Sequence, residues 1–193
     1  MKIGEERGRA TRADWLSIAL EAIHRAGPSG LNIQKLARQL KISKTSFYWH
    51  FKDRQDLRNT LLEFWVHEFT EVITKNRKLI DSPPDKRLAM TMDIVEKYDL
   101  AYYDLSFRVW AKTDPSVKEA VNKADELRLD FVRNAFSELG FRKYDLENRA
   151  TLFLSYISSE NIIFSNFSQT KRKKLRNARL ELLLKGSLNP PQS

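Results

Sequence analysis

The sequence predicts an all-α protein with a small amino-terminal head and a larger helical body. Three observations lead there. Apolar residues recur at helical spacing along most of the chain. Gly and Pro number only 6 each in 193 residues, and several fall where a helix must stop. No β-hairpin signal and no internal repeat is present.

The elements follow in order. Trp15, Ala19, Ala22, Ile23 and Ala26 trace one face of a first helix, which "AGPSG" (26–30) ends. Asn32 is placed to cap a second helix that turns Leu36, Ala37 and Leu40 inward. Lys41 and Ile42 form a tight turn, and the Ser43 hydroxyl is placed to cap a third helix. Asp53 is placed to cap a fourth, with Asp56 near the positive end of its dipole. That helix is expected to run unbroken to "DSPPD" (81–85). Further helices are expected over 86–98, 100–112, 116–139, 145–166 and 170–185. "TDPS" (113–116) is a cap followed by Pro, and "ELGF" (138–141) is a Gly stop. The tail "GSLNPPQS" (186–193) is expected to fray. The head thus spans 1–58, and the body of about six helices spans 59–193.

Composition narrows the chemistry. Hydrophobic residues make up 41% and charged residues 31%, enough for a real core in a soluble chain. The absence of Cys excludes disulfides and thiolate metal sites and fits a reducing compartment. No run approaches the roughly 20 apolar residues of a membrane span, and "MKIGEERGRATRADW" has no apolar signal region, so a cytoplasmic protein is expected. The charge is uneven. Residues 1–60 hold 12 Lys and Arg against 6 Asp and Glu, residues 61–160 hold 15 against 18, and residues 161–193 hold 7 against 1. A basic head on a mildly acidic body points to a polyanionic partner for the head.

The stretch "KISKTSFYWHFKDRQDL" (41–57) sharpens this. Projected as an α-helix, Phe47 falls on one side, where it can lock onto Leu36, Leu40 and Ile42. Lys44, Thr45, Tyr48 and Trp49 fall on the other. A cation, a hydroxyl, a phenol and an indole on one face suit phosphate and base-edge contact in a DNA groove, with packing of Tyr48 and Trp49 against the next helix as the alternative. Two short helices joined by a tight turn, the second apolar inside and polar outside, form a helix-turn-helix.

"LNIQKLARQLKISKTSFYWHFKDRQDLRNTLLEFW" (31–65) resembles the amino-terminal signature of the TetR family of bacterial transcriptional regulators, most specifically in "FYWHFKDRQDL". The resemblance implies a three-helix, homeodomain-like head and a helical ligand-binding body. It also implies a homodimer through 145–166 and 170–185, an inverted-repeat DNA operator and a small-molecule effector. It implies base readout by Lys44, Thr45 and Ser46, and backbone contacts by Gln34, Tyr48, Trp49, His50, Lys52 and Arg54. Ile33 has only its backbone N–H to offer beside Gln34. Lys41 departs from the pattern, since the family often has Gly in that turn. A positive φ at Lys41 would cost on the order of 1 kcal/mol.

In the body, Tyr102, Tyr103, Phe107, Trp110 and Phe131 are candidates to line an effector pocket, with core packing as the alternative. Asp104, four residues before Arg108, is a candidate partner for it. His67 stands between Glu63 and Glu71 at a spacing that can hold a metal, but a solvated charged face explains all three. No nucleophile with a base, no Gly-rich phosphate loop and no HExxH motif is present, so an enzyme is not expected, nor any cofactor. The basic run "TKRKKLRNAR" (170–179) is read as a water-facing surface. The expected function is a repressor released from DNA by an effector. The alternatives are an activator or ligand-independent regulator on the same fold, or a DNA-bound adaptor whose body grips another protein.

Overall fold

The computed structural model describes residues 10–186. Among these there are only helices and turns. They run α1 (Arg12–Ala26), α2 (Ile33–Gln39), a 3-10 helix (Lys44–Trp49), α3 (Arg54–Val66), α4 (Arg77–Ile80), α5 (Pro84–Lys97), α6 (Leu100–Trp110), α7 (Pro115–Glu138), α8 (Lys143–Ile163) and α9 (Gln169–Leu184). The tail expected to fray lies, but for Gly186, outside the described residues.

The chain forms two compact units. The first holds residues up to Trp65 together with Ser106–Ala120, and the second holds Val66–Leu105 with residues from Val121 on. A single cut at residue 58 therefore falls inside α3, and the first unit takes in a later segment that linear reading assigns to the body.

In the first unit, α1 starts at a capping box. The Thr11 hydroxyl accepts from the Asp14 N–H at 3.2 Å, and the Asp14 carboxylate accepts from the Thr11 N–H at 2.8 Å. Trp15, Ala19 and Ile23 are buried along its inner face, joined by Leu16 and Leu20, while Ala22 and Ala26 stay partly or fully open. A Cβ on Gly30 would lie 2.3 Å from the Ala22 carbonyl oxygen, so the turn passes too close to α1 for any other residue. Asn32 caps α2 by accepting from the Lys35 N–H at 3.0 Å. Asp53 caps α3 by accepting from the Asp56 N–H at 2.8 Å. Arg58 from α3 meets Asp114 at 2.5 Å and lies over the Trp110 ring. The Asp114 carboxylate in turn caps α7 at the Ser116 and Val117 N–H groups, with Pro115 in the first turn.

The second unit starts with an irregularity. The helix of α3 continues as a π turn over His67–Glu71 and a last turn Val72–Thr74. It then stops, and Asn76 caps α4 separately, so the expected unbroken helix to residue 80 is divided at Lys75–Asn76. Leu79, Leu88, Met92, Val132, Ala135, Phe136, Ala150 and Phe153 form the core. Buried Arg87 ties α4, α5 and α7 together: it donates to the Leu79 and Ile80 carbonyls and forks onto Glu138 at 2.7 and 3.0 Å. Gly140 at φ 95 ends α7, and the Phe141 N–H reaches back to the Phe136 carbonyl at 3.1 Å. Arg149 of α8, 2% exposed, holds Asp145 at 2.8 Å and donates to the carbonyl of Leu183 in the last turn of α9 and to those of Lys185 and Gly186 beyond it.

The basic run opening α9 divides by residue type. Arg176 pairs with Asp93 and Glu96, Arg179 with Glu160, and Arg172 donates to the carbonyls of Phe164, Ser165 and Phe167. The lysines Lys171, Lys173 and Lys174 are exposed.

Candidate nucleic-acid interface and ligand cleft

The helix-turn-helix is built by α2, a turn and the 3-10 helix. After α2 the chain reverses through Lys41 at φ 58, and the Ile42 N–H bonds to the Ala37 carbonyl at 3.0 Å. Lys thus occupies the left-handed position that the sequence marked as costly. Ser43 begins the next element with its carbonyl, which accepts from the Ser46 N–H at 3.1 Å, while its hydroxyl makes no capping bond. That element is a 3-10 helix rather than the expected α-helix.

The change of period leaves most of the outward face intact. Phe47 is fully buried, with its ring 5.3 Å from those of both Trp15 and Phe51. Lys44 and Thr45 are exposed, and so are Tyr48 at 53% and Trp49 at 60%. Ser46, expected beside Lys44 and Thr45 at the base edges, is instead buried. Its outward place is implied by the family resemblance, whereas the structure sets it beside buried Phe47. His50, expected at phosphate, is partly buried, with Nε2 2.8 Å from the Ala10 carbonyl oxygen. An N–H must therefore sit at Nε2, and that nitrogen is already used.

Lys44 and Arg54 share an open depression with Ser29, Asn32, Ile33 and Gln34. Ile33 and Gln34 open α2, where backbone N–H groups have no intrahelical partner. Arg54 also donates to the Pro28 carbonyl at 3.2 Å, which steadies it at the rim. Lys52 is exposed just before α3. Its backbone N–H is held by Asp56 at 2.8 Å, leaving the ammonium free to face outward. The arrangement offers three cations, a helix amino terminus and a phenol on one unit, which is the equipment for gripping a sugar-phosphate backbone.

The second unit contains a cleft with about 500 Å³ of atom-free space, part of it open to solvent. Of the five aromatics expected there, only Phe131 lines it. Phe107 and Trp110 lie in the first unit, buried, with Phe107 between Trp110 and Trp65 as their shared ring neighbour. Tyr102 is 43% exposed, and Tyr103 sets its edge on Phe69 at 5.7 Å. The cleft is walled mainly by Ile73, Val95, Val132, Leu154 and Ile157, none of them aromatic. At one side Asp104 and Arg128 pair at 3.0 and 3.1 Å, and Arg128 Nε donates to the Thr70 hydroxyl at 2.9 Å. Arg128 stands 24 residues after Asp104, a separation at which helical spacing gives no signal. His67, weighed as a metal ligand, sits beside Glu68 at 3.0 Å. Among the described residues no cluster of three metal-capable side chains occurs, and no helix is long and apolar enough to cross a membrane.

Comparison with known proteins matches this geometry. Residues 16–61 fit the sequence model of the bacterial regulatory proteins, tetR family. The tetracycline repressor protein class E of Escherichia coli is 40% identical over 55 residues, a stretch that is 28% of this chain and 26% of that repressor. The matched stretch thus spans about a quarter of that relative. Whole-chain likeness comes from solved structures. A transcriptional regulator of Rhodococcus sp. Rha1 superposes with a TM-score of 0.71 at 15% identity, covering 94% of this chain and all of that one. The TetR family regulator PfmR of Thermus thermophilus gives 0.67 at 17% identity, covering 91% and 99%. FadR of Bacillus subtilis, solved with stearoyl-CoA, gives 0.66 at 17% identity, covering 91% and 99%. At these identities the likeness is one of fold. The amino-terminal helix-turn-helix thus matches the model of the bacterial regulatory proteins, tetR family, over residues 16–61, and the fold is like that of a regulator solved from that family.

Proposed function

We propose that the chain is a sequence-specific DNA-binding transcriptional regulator, a homodimeric repressor that leaves an inverted-repeat operator when a small molecule enters the cleft. The observation that carries the reading is the outward display of Lys44, Thr45, Tyr48 and Trp49 over a core-locked Phe47, flanked by Lys52 and Arg54. Lys44 and Thr45 read base edges in the major groove. Tyr48, Trp49, Lys52, Arg54 and the amino-terminal N–H groups at Ile33 and Gln34 hold the backbone. Ser46 is dropped from the readout set because it is buried, and His50 orients the segment before α1.

Dimerisation is supported by α8 and α9. Leu152, Ile163 and Leu182 are 57%, 64% and 69% exposed, although α8 already buries Ala150 and Phe153 on another side. Apolar side chains on a second face of a helix need cover there as well. A second copy supplies it in a two-fold arrangement that presents two recognition elements about 34–36 Å apart. Release by a ligand is supported by the apolar cleft, and by α3, α6 and α7, each of which carries chain from one unit into the other.

Selection from a pool of randomised duplexes tests the reading. The protein should enrich an inverted repeat, and binding should weaken steeply with salt as counterions are released. Recovery of no common sequence would overturn it.

A further inference from the structure

Between Glu21 and Asp53 the chain carries six Lys and Arg and no Asp or Glu. Four of the six recur at every third position, Lys35, Arg38, Lys41 and Lys44, and all four are exposed. Among the described residues none of the four is held in an ion pair. They step from α2, through the turn, to the first residue of the 3-10 helix, and of the four only Lys44 lies on that recognition element. Lys41 is the strained member. α2 ends in a Schellman turn: the Ile42 N–H reaches the Ala37 carbonyl at 3.0 Å, and the Lys41 N–H reaches the Arg38 carbonyl at 3.1 Å. Lys41 itself, at φ 58, takes the position where glycine is unstrained and a side chain is not. Its side chain is exposed, so burial in the core does not explain a lysine there. Backbone strain kept on an exposed residue points to what the side chain does outside the fold.

We propose that Lys41, with Arg38 and Lys35 behind it, forms a further DNA-backbone contact, a cationic row that extends from Lys44 along α2 and neutralises phosphates beside the bases read by Lys44 and Thr45. An acid-free stretch with a cation at every third residue suits a polyanion that repeats its charge along a strand. The row acts through charge, so it adds affinity and salt dependence without adding sequence preference. The turn gives up stability for that charge, as residues at binding sites do. The proposal rests on the reading of the chain as a DNA-binding regulator, and names contacts outside the helix face that carries that reading.

The test measures binding of the full chain to a selected operator and to a random duplex at several salt concentrations, with the melting temperature taken on the same samples. Lys41→Gln keeps a long side chain in the left-handed position and deletes its charge. It should weaken both duplexes equally, by about 10-fold at ~0.1 M salt for each phosphate no longer neutralised, and flatten the log–log salt slope by about one unit for each. Its melting temperature should match the wild type. Lys41→Gly should lose the same DNA affinity while melting higher, which separates lost charge from lost fold. The triple variant Lys35→Gln, Arg38→Gln, Lys41→Gln should flatten the slope further, and a slope equal to that of Lys41→Gln alone overturns the row. Wild-type affinity and slope in Lys41→Gln overturn the proposal while leaving the regulator reading in place. A loss confined to the operator makes Lys41 a base reader and overturns the backbone assignment. A wild type that binds neither duplex overturns the regulator reading, and this proposal with it.

Discussion

The Trp65 and Phe107 rings stack with their centroids 4.5 Å apart and their planes 17° from parallel, and neither ring is exposed. The stack joins α3 to the second half of α6 inside the first unit. A ring that composition assigned to a ligand pocket is therefore part of the core beside the helix-turn-helix. Phe107→Ala should cost about 3–5 kcal/mol of stability, the range for emptying a large buried aromatic site. Urea unfolding gives the number. Ligand titration of the folded variant should match the wild type, and a specific loss of ligand binding would place Phe107 at the cleft after all.

Lys41 is held at φ 58. Lys41→Gly should raise stability by up to about 1 kcal/mol, the relief of left-handed strain less the extra freedom glycine gives the unfolded chain. Lys41→Ala keeps the strain and should melt close to the wild type. Equal melting of the Gly and wild-type proteins would mean that the turn carries no strain.

On the DNA face, three substitutions should separate by role. Tyr48→Phe keeps the ring against Phe47 and deletes the hydroxyl, so it should weaken operator and random DNA alike. Lys52→Ala should do the same and flatten the log–log salt dependence by about one unit for each phosphate that the side chain no longer neutralises. Lys44→Ala should cost about 1–3 kcal/mol on the operator and relax preference at one position per half-site. A salt titration of anisotropy with matched duplexes distinguishes the three. Melting of Tyr48→Phe with intact DNA affinity would show the phenol to be structural.

Leu152→Asp and Ile163→Asp place a charge on exposed apolar surface. Neither should unfold the chain, and both should shift sedimentation from dimer to monomer. A wild type that sediments as a monomer at micromolar concentration would leave those side chains without the proposed cover.

Two groups tie stability to pH in opposite directions. Burial pushes the Tyr156 phenol up to about 12, and its hydrogen bond to Glu160 adds to the rise. A raised value in the folded state gives stability that is complete below the ordinary value of 10.0 and is lost as pH rises toward about 12. For Asp114, burial works to raise the carboxyl, but hydrogen bonds from Ser116, Arg58 and the Val117 N–H together hold it below its ordinary 3.8. That contribution is present above 3.8 and is lost as pH falls through the folded value. Tyr156→Phe should flatten the alkaline limb of a stability profile, and Asp114→Asn the acid limb. Unchanged limbs in the variants would assign both slopes to other groups.

Local chemistry explains what was legible in the sequence. Asn32, Asp53, Asp114 with Pro115, and Gly140 each act within a few residues of themselves, and each stands where its residue type places it. Phe47 inward and Tyr48 outward follow from side-chain size and the need to lock the element onto α1. Ser46 lies inside, beside Phe47, where the family resemblance and not the helical projection implies an outward place. The π turn at His67–Glu71 leaves no pattern in residue types. Asn76, a capping residue three before Leu79, is the available sign that the long helix divides there. The cleft is hidden for a different reason: its polar edge is a pair 24 residues apart, and its walls are mainly aliphatic, so aromatic content finds only Phe131 of its lining.

Arg149 sets where this fold can be cut. Its guanidinium, buried under the Phe141 ring at 4.0 Å, spends its donors on Asp145 and on carbonyls from Leu183 to Gly186. A truncation just before Leu183 would remove those acceptors and leave the buried guanidinium inside α8 with Asp145 alone, more than thirty residues upstream of the cut. The damage from a carboxyl-terminal deletion would thus be felt in the core around Ala150 and Phe153 rather than at the new end.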